Sequence, residues 1–188
     1  GVPMDTSLHA TKGGQYSADI TCPELSVLNT TDNIAFGTIQ KAIDAGTTSA
    51  GETIQLKENT TYSENVTVNK AVTITDQNAN NATATGKWTL GGTTDVDLNT
   101  GTIAITGLTF QPNSDASILV SNVYNGTVSI QGNTFTIDSA ADIGISVQSN
   151  RGSGALTSLN ISNNTFSGAV SGASAIYFND DGSSNTNG

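Results

Sequence analysis

The chain of 188 residues carries 16 acidic and 6 basic side chains, a formal net charge of −10, and is 35% hydrophobic but only 12% charged. With so few basic groups, none of them clustered, it lacks the contacts that a nucleic-acid backbone or an anionic membrane surface requires. One cysteine (Cys22) and one histidine (His9) exclude an internal disulfide and a Cys/His zinc site, and no apolar run approaches the roughly 18 residues of a membrane span. Thr, Ser, Asn and Gly take the place of the missing charge, alongside plentiful Ile and Val. That composition suits many short strands separated by turns.

Residues 1–35 show little pattern and read as an irregular segment or cap. Within Phe36–Gly46, Ile39, Ala42 and Ile43 fall on one helical face, with Thr38 placed as N-cap and Gly46 as C-terminal residue. A short helix over 38–46 is expected. Gly51-Glu-Thr-Ile-Gln-Leu56, Val66-Thr-Val68 and Ala71-Val-Thr-Ile-Thr75 alternate as strands do, and 76–86 is a polar loop before Lys87-Trp88-Thr-Leu90.

The second half repeats. Ile103-Ala-Ile105-Thr-Gly-Leu-Thr-Phe110 returns as Val128-Ser-Ile130-Gln-Gly-Asn-Thr-Phe135 and as Leu159-Asn-Ile161-Ser-Asn-Asn-Thr-Phe166. A second element follows each copy, and Ile118–Asn122, Ser146–Asn150 and Ile176–Asp180 align without gaps. A unit this small cannot bury its own apolar face, but stacked units can. The reading is therefore an all-β, right-handed parallel β-helix spanning 36–188, with 38–46 as its capping helix. A sandwich or antiparallel barrel would demand hairpin signals, and only Asn125-Gly126 resembles one. Ile105, Ile130 and Ile161 should stack inside, as should Phe110, Phe135 and Phe166. Asn133 and Asn164 should form an amide ladder, with Gly107, Gly132 and Asn163 at a left-handed bend. The polar end after Phe178 carries nothing to seal a core, so the chain reads as a piece of a longer protein.

The residues Ile39-Gln-Lys-Ala-Ile43, Gly51-Glu-Thr-Ile54, Thr61-Tyr-Ser-Glu-Asn-Val66 and Val72-Thr-Ile74 resemble the opening of pectate-lyase-like β-helix proteins. The resemblance covers roughly 36–180. It implies the fold and the capping role of 38–46. It leaves function open, because this fold hosts lyases, hydrolases, adhesins and surface-layer proteins.

Chemistry is sparse. A lyase needs Ca²⁺-binding carboxylates beside a basic residue, and Arg151 is the only arginine, with Asp138 and Asp142 earlier in the same coil. Its ordinary reading is a surface ion pair. A hydrolase needs adjacent acids and, in this family, a histidine, whereas the acidic pair Asp180-Asp181 has no histidine nearby. Asp95 and Asp97 have the spacing of one edge of a Ca²⁺ site, as Asp180-Asp181 do, with a solvated turn as the simpler reading. Trp88, Tyr62, Tyr124 and Tyr177 are of a type that stacks on sugars or packs in a core. Sequons occur at Asn29, Asn59, Asn65, Asn81, Asn125, Asn160 and Asn163.

The expectation is a secreted or cell-surface β-helix module with a structural, adhesive or glycan-contacting role. Its partners would be polysaccharide or other surface chains, with end-to-end or lateral self-association. No cofactor is required, and Ca²⁺ is the one ion with candidates. The alternative is a polysaccharide lyase or glycoside hydrolase of the same fold.

Overall fold

The computed structural model describes residues 8–10, 16–18, 25–111, 116–148, 155–168 and 171–179. Strands β1 (Leu8–Ala10) and β2 (Tyr16–Ala18) pair antiparallel, as do β3 (Val27–Asn29) and β4 (Ile34–Phe36). Helix α1 (Ile39–Asp44) follows. Five three-strand coils come next. They are β5 (Thr53–Leu56), β6 (Thr61–Tyr62) and β7 (Val66–Val68), then β8 (Thr73–Asp76), β9 (Thr83–Ala84) and β10 (Trp88–Asp97). The third coil holds β11 (Thr102–Thr106), β12 (Thr109–Phe110) and β13 (Ala116–Tyr124), and the fourth β14 (Thr127–Gln131), β15 (Thr134–Thr136) and β16 (Ile143–Gln148). The fifth is β17 (Ser158–Ser162), β18 (Thr165–Ser167) and β19 (Ser174–Asn179).

Each strand pairs in parallel with its equivalent one coil away, which makes three sheets: β5-β8-β11-β14-β17, β6-β9-β12-β15-β18 and β7-β10-β13-β16-β19. Strand β3 joins the first sheet antiparallel to β5. The chain is a parallel β-solenoid. The expected β-helix is present, and its first sheet extends back to Val27, ahead of the boundary at 36 read from the sequence.

The core is a set of columns. Ile54, Ile74, Ile105, Ile130 and Ile161 stand in register, and the first four are fully buried. Phe110, Phe135 and Phe166 stack with ring centroids 5.0 Å apart at each step. One coil earlier the aromatic column meets Ala84. Trp88, fully buried, lies edge-on to Phe110 at 5.3 Å and supplies the bulk that Ala84 lacks. Gly107, Gly132 and Asn163 take φ of 70°, 65° and 56°, the bend the repeat calls for. The amide ladder beside it forms. The Asn133 side chain donates to Ile105 O (3.0 Å) and accepts from Leu108 N–H (3.0 Å), while Asn164 donates to Ile130 O (2.8 Å) and accepts from Asn133 N–H (3.0 Å). These bonds satisfy backbone groups that the turning chain would otherwise bury unpaired.

The third sheet differs from expectation by one residue. Ile118 pairs with Ile145 and then Ile176, so Ser146 stands opposite Leu119 on the outer face. A slip of one would turn Ile145 and Val147 outward and Ser146 into the core.

The other end of the solenoid is closed. Ile39, Ala42 and Ile43 bury one face of α1, and Thr38 Oγ1 accepts from Lys41 N–H at 3.2 Å. The helix is shorter than 38–46 because Ala45 leaves helical geometry (φ −58°, ψ 132°). The Glu64 carboxylate accepts from Ile39 N–H (2.7 Å) and Gln40 N–H (3.0 Å). Gln40 in turn pairs with the edge strand β7: its Oε1 accepts from Thr67 N–H (2.7 Å) and its Nε2 donates to Thr67 O (3.2 Å). An amide side chain thus imitates the missing neighbouring strand. Asn65 Oδ1 accepts from Lys87 N–H at 2.9 Å. Residues 39–43 are therefore capping residues, and Glu64 and Asn65, in the turn between β6 and β7, hold the cap and the next coil.

Candidate functional site

Alternation along each strand points one set of side chains into the core and the other outward. The outward columns are uncharged. On the first sheet they include Gln55, Thr75, Thr106, Gln131 and Ser162; on the second, Thr61, Thr83, Thr109, Thr134 and Thr165; on the third, Thr67, Thr89, Leu119, Ser146 and Tyr177. Among the described residues the charged side chains lie in loops and turns, in α1, at strand ends or within and beyond the β10 bulge.

The third sheet also carries a concave site. After Gly91 the register of β10 against β13 breaks, resuming at Val96 opposite Val123. Residues 92–95, four against the single Asn122 of β13, stand out as a wall over the outer face. Gly91 sits at φ 113°, and a Cβ there would collide with the Ser121 carbonyl oxygen, so only glycine permits this departure. Asn122, itself at φ 52°, donates from Nδ2 to Gly92 O at 2.9 Å and pins the wall. The result is a groove of about 610 Å³. Thr67, Asn69, Thr89, Leu119, Ser121 and Asn122 line it with Lys87, and Gly92–Thr94 and Val96 form the wall. The Ser121 hydroxyl donates to Gln148 Oε1 at 3.3 Å. The lining offers hydroxyls, amides, two apolar side chains and one ammonium. Groups of these kinds can hydrogen-bond to and pack against a polar ligand. The lining contains no carboxylate, imidazole or thiol.

The sequence candidates do not converge on this groove. Arg151, Asp180, Asp181 and Cys22 lie outside the described residues. Asp95 closes the 92–95 excursion and Asp97 follows it, both within strand β10 rather than in a turn. Asp97 Oδ1 accepts from Asn99 N–H (2.7 Å) and Asn125 Nδ2 (3.0 Å), a local structural role. Partial burial and the charges of Asp97 and Asp95 push the nearby Tyr124 phenol above its ordinary pKa. Among the described residues, no group of three or more His, Cys, Asp or Glu could hold a metal ion. Asp142 is fully buried, and its Oδ2 accepts from Asp138 N–H (3.1 Å) and Ser139 N–H (2.8 Å), ordering its own turn.

Of the aromatic candidates, Trp88 and Tyr62 are core residues and present no face to a sugar. Tyr177 is 45% exposed. Among the sequons, Asn29 is fully buried, and its Nδ2 donates to Glu52 Oε2 at 2.7 Å and Thr48 Oγ1 at 3.3 Å. In the fold this amide is committed to internal bonds, and a glycan on it would displace them. Asn59, Asn125 and Asn163 have φ of 55°, 55° and 56°, so their identity has a conformational cause independent of modification. Asn59, Asn65, Asn81, Asn125, Asn160 and Asn163 are exposed. The groove escaped the sequence reading because it depends on the excursion at 92–95, whose only local sign is Gly91-Gly92.

Comparison with family models, curated proteins and solved structures gives no match to this chain. The parallel β-solenoid architecture therefore stands on its own strand pairing.

Proposed function

We propose that this chain is a display and adhesion module of an exported or cell-surface protein, built on a β-helix that resembles the pectate-lyase-like group, and that the groove over β7, β10 and β13 contacts a neutral saccharide. The carrying observation is the groove lining. Hydroxyls, amides and the single ammonium of Lys87 surround Leu119 and Val96 without a carboxylate, and the outer sheet faces beside it are uncharged. Neutral glycans are recognised by this combination of fixed hydrogen-bonding groups and apolar contact. A solenoid also suits display, because its stacked coils hold such a face rigid along their length.

The test is a glycan array followed by calorimetric titration of the best neutral oligosaccharide. Wild type should bind, Leu119→Glu in the groove floor should abolish binding, and Ser129→Glu on the first sheet should leave it intact. Equal loss in both variants, or no binding to any neutral glycan, would refute the assignment. Release of reducing or unsaturated ends from a polymer would replace it with an enzymatic one.

A further inference from the structure

The groove over the third sheet has a direction. Its floor is two outward columns that cross three coils. Thr67, Thr89 and Leu119 stand in register on β7, β10 and β13. Two residues further along each strand come Asn69, Gly91 and Ser121, with Gly91 paired to Ser121. The 92–95 wall follows this second column, and Lys87 precedes the first. The open space therefore runs across the strands, along the solenoid axis, and Gly91 leaves the middle of the second column without a side chain. Both ends are set. Strand β7 is the first of its sheet, and Gln40 of the capping helix already pairs with the Thr67 backbone. At the other end the lining stops at β13, short of Ser146 and Gln148, the next residues of the two columns on β16.

Resting on the reading of this groove as a neutral-saccharide site, we propose that its ligand is an unbranched β-1,4-linked chain laid along the solenoid axis, with one pyranose over each of the three coils. Spacing favours this ligand. Successive coils are about 4.8 Å apart, close to the rise of one residue in an extended β-1,4-linked chain, so sugars and coils stay in step over three units. Shape agrees. That linkage makes a flat ribbon that can lie on a sheet face, whereas an α-1,4-linked chain curls away from one. The chemistry differs from ring to ring. The first meets the Thr67 hydroxyl and the Asn69 amide, the second the Thr89 hydroxyl beside the gap at Gly91, and the third the apolar Leu119 with the Ser121 hydroxyl. The wall closes one flank, so a branch on that side is excluded.

Calorimetric titration of the 188-residue chain with β-1,4-linked oligomers of glucose and of N-acetylglucosamine, from one to six units, tests this, with the α-1,4-linked glucose hexamer as control. Affinity for one of the two series should rise by about tenfold with each unit up to the third and level off beyond it. Thr67→Trp, at an exposed position of β7, should lower trimer affinity to that of the dimer and leave the dimer unchanged. Should that variant fail to fold, the length series on wild type decides the matter. A single sugar bound as tightly as the trimer overturns the proposal. So do affinity that keeps climbing past the third unit, an α-1,4 hexamer bound as well as the β-1,4 one, and a trimer that a folded Thr67→Trp binds undiminished. Binding of another neutral glycan while both β-1,4 series fail overturns the axial chain alone and leaves the saccharide reading standing. Failure of every neutral glycan removes both.

Discussion

Phe135→Ala probes the aromatic column at its most enclosed point. Phe135 is fully buried and stacked on both faces, against Phe110 and Phe166, at 5.0 Å each. Truncating a buried phenylalanine costs about 3–5 kcal/mol, and two stacked partners, each contributing about 0.5–1.5 kcal/mol beyond burial, place this site near the upper figure. Phe166 is half-buried with one stacked neighbour, so Phe166→Ala should cost about 2 kcal/mol. Against a domain stability of about 5–15 kcal/mol, the first change removes a third or more. Urea denaturation followed by far-ultraviolet circular dichroism measures both, read from the midpoint at constant slope. The double variant should show a coupling of about 0.5–1.5 kcal/mol. A Phe135→Ala cost no larger than that of Phe166→Ala would refute the column, because only enclosure between coils separates the two sites.

Gln40→Ala strips the amide that pairs with Thr67. It should cost about 0.5–1.5 kcal/mol and speed exchange of the Thr67 amide specifically, whereas Gln40→Glu should rescue only the acceptor half. Burial pushes the Tyr62 phenol above its ordinary pKa, against hydrogen bonds that include its donation to Ser26 O at 2.6 Å. The folded state then holds this proton more tightly than the unfolded state. Stability should be intact below the unfolded value and fall as pH rises through the raised folded one; Tyr62→Phe should flatten that alkaline fall in thermal melts, and an unchanged fall would place its origin elsewhere. In a glycosylating host, peptide mass mapping should find Asn29 unoccupied whatever the state of the six exposed sequons. A glycan on Asn29 of the folded protein would contradict its burial.

Much of the fold was legible because a solenoid writes its register into the sequence. Ile105, Ile130 and Ile161 recur with Thr and Phe four and five residues later, and the bend between them needs Gly or Asn, so columns and turn appear together. The third sheet was harder. Its connecting turns vary in length, and the shared Ser-Asn of 121–122 and 149–150 favoured an offset one residue from the true one. Only the requirement to bury Ile145 and Val147 settles it. For Trp88 the sequence leaves stacking on sugars and packing in a core both open, and the gap that Ala84 leaves in the aromatic column is what draws it into the core. Val27 and Leu28 lie in a segment too short for periodicity, and their pairing with β5 is long-range. The groove was the least legible feature, since a register break of β10 against β13 leaves no pattern within either strand. Asn29 shows the converse: a modification motif whose side chain the fold uses internally.

The in-register stacking of five coils is the claim on which all the rest depends. Spin-label distances along the outward column Gln55, Thr75, Thr106, Gln131 and Ser162 test it most directly. The pairs are Gln55→Cys with Gln131→Cys and Gln55→Cys with Ser162→Cys, in a chain with Cys22→Ser. Backbone separations should be about 14 and 19 Å, three and four strand spacings of about 4.8 Å. Distances that fail to grow by one strand spacing between the two pairs would contradict the parallel solenoid.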